Sequence, residues 1–572
     1  MSFFIGGIGS AATNLVKNHF STNDDLVKVC SHDGNFLVIS RGDKQIDTVI
    51  VGDNEGLLLG NIFDKNVYNS VDSFEKVVNP GTLMNNYWGR YSGALYNPET
   101  KMLSLVRDPL GLEALFYMPY KDGMIFSSSL PKLYDVLLQK PEIDWHYFAE
   151  FLLEKNYLIP ETPFKNVCEL LPGICLTYND GSITQEFLWK IPTKSTTNDK
   201  EIEGTLLNTL IKSTKAWTKK HEKISLQLSG GVDSSSILCL LKECAPNADI
   251  QGIHYNDTKN VASQEIEYAQ QISKDCNTPL LHIDFQDARL FDPLPQTWRP
   301  DKPSTGMVTH SSVKKLMEYT GDGLLFSGQG GDHVFLAPPP QESIADYWLE
   351  KGLRGISNVV HEIGSIYRTS WPALAKTTFK TLHNYYFGKE IRMQEFNLDH
   401  EMLTKNYTDN VQKKSFYLDK HLKQFKPAKA LHIKLLYHAV AYSDSIKEAH
   451  VIYPLLSMPV VECGLRIPTY QSIKNGYNRY YFRKAVSRIN PTKVIWRLNK
   501  GEVSASLVKA LKKELEPLIA LVENGLLLKN NVIDRVWFEN RVERIRHGDA
   551  KDLLPLFRII GAERWFKQWK LN

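Results

Sequence analysis

The sequence predicts two joined architectures, a β-rich layered domain followed by a doubly wound α/β domain built on a parallel sheet. Three observations predict it. Up to about Trp189 the apolar residues come in short strand-length runs broken by turn residues. From about Glu201 strand-like runs alternate with helical ones, the pattern of a parallel sheet with crossover helices. Between Leu226 and Ser236 a strand, a glycine break and a buried helix follow one another within eleven residues. At 572 residues the chain is also too long for one hydrophobic core.

In the first part the strand-like pieces are VKVCS, FLVIS, DTVIVG, SGALY, MLSLVRD, ALFYM, MIFSSS and ICLTY, with turns at Asn97-Pro98, Lys121-Asp122-Gly123 and Asn179-Asp180-Gly181. One helical segment, Trp145 to Leu153, interrupts them. Ile191 to Lys200 is polar and aperiodic, as expected of a linker. The expected domains are residues 1–190 and 201–572.

Composition narrows the function. Lys and Arg number 68 against 64 Asp and Glu, so a net charge of +4 gives no case for nucleic acid or an anionic membrane as partner. The seven cysteines (Cys30, Cys168, Cys175, Cys239, Cys244, Cys276, Cys463) are scattered without C-x-x-C spacing, which points to buried thiols in a reducing cytoplasm. No apolar run reaches the roughly 18 residues that span a bilayer, and MSFFIGGIGSAAT lacks the positive start of a signal peptide.

The second part opens with a helix over Glu201–Lys219 and a strand over Lys223–Leu228. Ser229-Gly230-Gly231 then breaks the chain, and Ile237–Leu241 continues as a helix with Asp233 or Ser234 as the expected N-cap. Backbone N–H groups of a glycine turn opening a helix face outward, and the helix dipole adds positive charge, so Leu228, Ser229, Gly230, Gly231, Asp233 and Ser234 form a phosphate cradle. No Gly-Lys-Ser/Thr follows, so it is not a Walker loop. Strands at Asp249–Tyr255, Leu280–Asp284 and Gly323–Ser327 alternate with helices at Ser263–Asp275 and Ser311–Tyr319. Ligands of such sheets bind beyond the carboxyl ends of the strands. The last strand runs into Ser327-Gly328-Gln329-Gly330-Gly331-Asp332, a second loop of the same kind. Asp233 and Asp332 are thus candidates to hold Mg²⁺ from opposite sides of a triphosphate, because carboxylates suit that ion.

The first loop resembles the SGGxDS pyrophosphate loop of ATP pyrophosphatases, and the two loops together resemble the asparagine synthetase superfamily. RDPLGLEALFYM (107–118), FSSSLPKL (126–133) and CELLPGICLTYNDG (168–181) resemble that superfamily's glutaminase-type domain, an Ntn-type layered sandwich. A working glutaminase of this type uses an N-terminal cysteine. Here position 2 is Ser2, a far weaker nucleophile, and no oxyanion Asn-Gly pair is recognisable near Gly60-Asn61, so the resemblance implies an inert scaffold.

GQGGDHVF (328–335) looks most like the lasso-peptide cyclases, the macrolactam synthetases of the superfamily, and a mostly helical run from Ala345 to Leu382, interrupted at Pro372, resembles their insertion (about 337–430). The helix and turn around 442–458 place His450 and Glu448 as candidate bases for an attacking amine. YYFRKAVSRINPTKVIWRLNKG (480–501) resembles the family's basic helix, proline turn and Arg…Lys-Gly loop, which implies that Lys500 stabilises charge at the α-phosphate. The final helix, 553–569, resembles the family's last one.

The expected activity is ATP- and Mg²⁺-dependent: adenylation of an Asp or Glu side chain in a ribosomally made precursor peptide, then ring closure by the peptide's own N-terminus. A leader-binding protein and a leader peptidase are the implied partners. An asparagine-synthetase-like amidotransferase or amide ligase on a small carboxylate, and a non-catalytic nucleotide-binding protein, remain the alternatives.

Overall fold

The computed structural model describes residues 2–571 except 21–27, 42–45, 54, 77, 154–157, 257–264, 285–291, 309, 322, 390–399, 409–415, 444–449, 499–510 and 548–552. Lys500 and Glu448 lie outside the described residues.

The N-terminal half is a sandwich of two sheets. The first orders its six strands as Cys168–Glu169, Phe116–Tyr120, Gly123–Ser127, Phe3–Ile8, Phe36–Arg41 and Lys28–His32. The second has seven, with Tyr87–Asn97 between Met102–Arg107 and Gly56–Asp64. All these pairings are antiparallel except the short edge pair formed by Thr48–Val51 and Ser73–Phe74. Period-two alternation decides the layers. Phe4 and Ile8 face inward with Phe36, Leu57, Leu105 and Phe126, while Phe3 and Ile5 face outward onto Val16 and Val136 of two covering helices.

Sequence patterning had offered only strands and one helix for this half. The structure adds the central strand Phe3–Ile8 and helices Ser10–Phe20, Pro80–Asn86 and Leu130–Leu137. Gly6 and Gly7 hid the strand, because they replace the expected β-branched residues. A Cβ on Gly7 would stand 2.9 Å from Ala12, and one on Gly6 would stand 2.6 Å from the Phe126 ring. The predicted helix near Trp145 is present as Trp145–Leu152.

Arg107 anchors this half. It is 1 % exposed, and its guanidinium donates to the carboxylate of Glu169 (2.9 Å) and to the carbonyls of Leu170 (2.7 Å) and Gly111 (2.6 Å). Both ends of the RDPLGLE and CELLPG phrases are therefore structural. The turn they form reaches the second half, where Tyr437 donates to the Pro109 carbonyl at 2.8 Å and Tyr417 to that of Pro172 at 3.0 Å. The C-terminal helix Leu554–Gln568 buries Trp565 and Phe566 against Phe148 of the first half.

The second half is a parallel sheet ordered Leu280–Asp284, Asp249–Asn256, Lys223–Gln227, Leu324–Ser327. The helix Val232–Cys244 follows the strand Lys223–Gln227, so the two candidate loops leave neighbouring strands at the same end. A single parallel bridge from Ile452 to Phe326 extends the sheet beside the second loop. The predicted insertion is helical at Ser343–Lys351, Ile356–Tyr367 and Trp371–Tyr386. Pro372 stands in the first turn of the last of these, where its missing N–H costs nothing, so it starts that helix.

Candidate active site

The first loop is built so that side chains stay out of its way. Gly231, not Asp233 or Ser234, is the N-cap of Val232–Cys244, and no side chain caps the first-turn N–H groups. Asp233 instead sits in the first turn. An anion at this helix N-terminus would meet backbone donors and the positive end of the dipole.

Gly230 takes φ +75°, and a Cβ there would come within 2.6 Å of the Ala269 nitrogen and 2.7 Å of the Glu265 carbonyl, so the helix Glu265–Asp275 backs directly onto the loop. The Gly230 carbonyl accepts from Arg497 at 2.6 Å, and that guanidinium lies 4.2 Å over the Tyr268 ring. Burial, partly offset by Glu265, lowers the Arg497 pKa. Leu228 is buried; its N–H donates to Ile253 and its carbonyl accepts from His254 Nδ1 at 2.8 Å, which fixes the strand end. Ser229 Oγ is 3.1 Å from Ser234 Oγ and accepts the Gly231 N–H at 3.2 Å.

The second loop lies against the first. A Cβ on Gly328 would stand 2.5 Å from the Ser234 nitrogen, and one on Gly331 would stand 2.4 Å from the carboxyl of Asp233. Gly330 adopts φ +97° and opens the turn Gly331–Val334 that carries Asp332. Ser327 receives the Gln329 N–H and donates its own N–H to Ile452. Gly328 and Gly331 are required by this apposition, since a Cβ on either would run into the first loop, and Gly330 is held by its positive φ and by Leu456.

Asp233 and Asp332 converge on one guanidinium. Arg479 Nη1 donates to both oxygens of Asp233 at 2.8 Å and lies 2.5 Å from Oδ1 of Asp332. The two carboxylates therefore come within about 5 Å of each other. Two hard oxygen donors from different loops, gathered around one positive charge, are a donor set that fits Mg²⁺. The glycine cradle beside them fits a triphosphate.

Arg479 went unread in the sequence, although a signal was present. Asn475-Gly476 turns a two-stranded hairpin, Ile473–Lys474 with Tyr477–Asn478, at φ +56° and +75°, as a type I′ turn requires. Glu362, from the insertion helix Ile356–Tyr367, accepts both turn N–H groups at 2.8 Å. Arg479 is the residue after the hairpin, held at φ +53° as N-cap of Tyr480–Val486. Arg483 beneath it donates to the carbonyls of Asn478, Ile495 and Arg497. Burial, and then the neighbouring charge of Arg479, bring its pKa down to about 10.

His450 is not gathered into this constellation. Ile452 pairs with Phe326 in parallel, so Val451 and His450 precede it toward the amino end of the strand Leu324–Ser327. His450 enters that segment at φ +43°.

An asparagine synthase family model matches residues 205–567, and a glutamine amidotransferase domain model matches residues 78–189. The chain belongs to the asparagine synthase family, ATP-using amidotransferases and amide ligases. The glutamine-hydrolyzing asparagine synthetase 1 of Bacillus subtilis (strain 168) is 22% identical over 446 residues, covering 72% of this chain and 67% of that protein. NMN synthetase from Francisella tularensis shares 14% identity at a TM-score of 0.17, over 24% of this chain and 58% of that one. NH3-dependent NAD synthetase from Campylobacter jejuni subsp. jejuni NCTC 11168 shares 15% at 0.19, over 34% of this chain and 99% of that one. No helix among the described residues is long and apolar enough to cross a membrane.

Proposed function

We propose that this chain closes a macrolactam in a ribosomally made peptide, in the manner of the lasso-peptide cyclases. A side-chain carboxylate of the precursor attacks the α-phosphorus of ATP, pyrophosphate leaves, and the peptide's N-terminal amine displaces AMP to form the isopeptide bond. The observation that carries the nucleotide step is the convergence of Asp233 and Asp332 beside a glycine cradle. The first-turn N–H groups of Val232–Cys244 orient the triphosphate, with Leu228, Ser229, Gly230, Gly231 and Ser234 on one side and Ser327, Gly328 and Gly330 on the other. Mg²⁺ held by Asp233 and Asp332 would neutralise the departing diphosphate. Lys500 keeps its role at the α-phosphate on sequence grounds. Holding the activated side chain and the N-terminal amine in one site makes ring closure unimolecular.

Two features favour a peptide amine over ammonia. Position 2 is serine, so the amidotransferase-type half lacks the thiol that would release ammonia from glutamine. The helical insertion is wired to the site through Glu362 and the hairpin, as a wall that senses a large substrate would be. A leader-binding protein and a leader peptidase belong to this reading as partners. The asparagine synthetase relative favours a second reading, an amide ligase on a small carboxylate.

ATP–pyrophosphate exchange separates them. Exchange that requires a linear precursor peptide supports the macrolactam. Exchange driven by aspartate or another small acid moves the assignment to the second reading, and no exchange with any acid makes the chain a binding protein.

A further inference from the structure

We propose that Arg479 is an internal counter-cation for the metal carboxylates: it occupies the Asp233–Asp332 pair in the nucleotide-free enzyme and turns onto the phosphates when magnesium-nucleotide enters. The inference rests on the reading of those two aspartates as metal ligands, and on nothing about the acyl substrate.

The geometry supplies the argument. One guanidinium nitrogen contacts three carboxylate oxygens of two loops at 2.5–2.8 Å, so it stands where a divalent ion shared by the same carboxylates would stand. Both cations cannot be there together. Without Arg479, two carboxylates within about 5 Å would repel each other across partly buried surroundings. With it, a divalent ion arriving alone must first break a charge-assisted contact to each aspartate. Ions that arrive already bound to nucleotide bring phosphate oxygens, and a guanidinium fork is well matched to those. Arg479 therefore gives up one set of anionic oxygens only where another is offered.

The surroundings suit a side-chain exchange with a fixed backbone. The Asn475-Gly476 turn, the Glu362 clamp and Arg483 hold the hairpin on either side of Arg479. Its left-handed backbone is a conformation that a bulky residue keeps only where the structure enforces it, and such positions concentrate at functional sites.

The test uses full-length, nucleotide-free protein and Mn²⁺ alone, with free Mn²⁺ read by electron paramagnetic resonance. Arg479→Met should bind Mn²⁺ more tightly than wild type by about 10- to 100-fold, the worth of the charge-assisted contacts it removes. The same variant should bind a nonhydrolysable ATP analogue with Mg²⁺ at least about tenfold more weakly, measured by calorimetry. Arg479→Lys, which keeps a charge without the fork, should fall between for Mn²⁺ and guards against misfolding of the first variant. A merely structural role moves both affinities in the same direction. Unchanged or weaker Mn²⁺ binding in both variants overturns the proposal. Neither measurement involves a peptide, so failure of the macrolactam reading leaves the result standing.

Discussion

Replacing Gly331 by alanine isolates the apposition of the two loops. Gly331 opens a short helical turn, so alanine is compatible with its backbone and should change stability by no more than about +0.5 to +1 kcal/mol through reduced unfolded-state entropy. The added methyl, however, would stand 2.4 Å from the Asp233 carboxyl carbon, where ordinary contact begins near 3.4 Å. The carboxylate must yield by about 1 Å, and misplacement on that scale costs on the order of 100-fold in rate. ATP–pyrophosphate exchange should fall by about that factor with the chain still folded, the backbone gain offsetting part of the weakened Arg479–Asp233 contact. Gly330→Ala is the contrast: at φ +97° and 2.5 Å from Leu456, it should lower the melting temperature as well. Wild-type exchange in Gly331→Ala would falsify the claim that the Asp233 carboxylate works where the structure places it.

Arg497→Lys removes the flat group stacked on Tyr268 and the fixed donor to Gly230, so the KM for ATP should rise about tenfold with peptide binding unchanged. Arg107→Met leaves Lys302 as a cation on Glu169 but takes the guanidinium donors from the buried carbonyls of Gly111, Glu113 and Leu170, and should cost about 3 kcal/mol or more by denaturant unfolding. His432, buried and donating Nε2–H to the Val334 carbonyl, has its pKa pushed down to about 3, mainly by burial. The unfolded chain thus binds one proton more between about pH 6.5 and 3, and the stability His432 contributes is complete above 6.5 and lost as pH falls through that window. The loss is up to about 1.4 kcal/mol per pH unit, and His432→Gln should flatten this part of the acid unfolding curve.

The two glycine loops were legible because each is local. A strand, then glycines, then a helix with an early aspartate can be read within a dozen residues, and the conformation that makes them useful is set by those same residues. The layered first half was legible as a class from its alternation and turns, but Phe3–Ile8 was not, since its glycines serve contacts with Ala12 and Phe126 that lie in other elements. The position of His450 on the sheet is illegible for a related reason. Its distance from a proline in sequence says nothing of which end of the sheet it occupies, and that was decided by the register of Ile452 against Phe326.

From the order of residues alone came the two architectures and two glycine-rich loops that each carry an aspartate, all properties of short stretches whose backbone preferences and periodicity act nearby. Only the tertiary structure decided that those aspartates share one cation. Arg479 follows Asp233 by 246 residues and reaches it because an Asn-Gly hairpin, gripped by a glutamate from the insertion, turns its backbone into a left-handed conformation. Charge pairing across that distance is governed by packing, which no local pattern encodes.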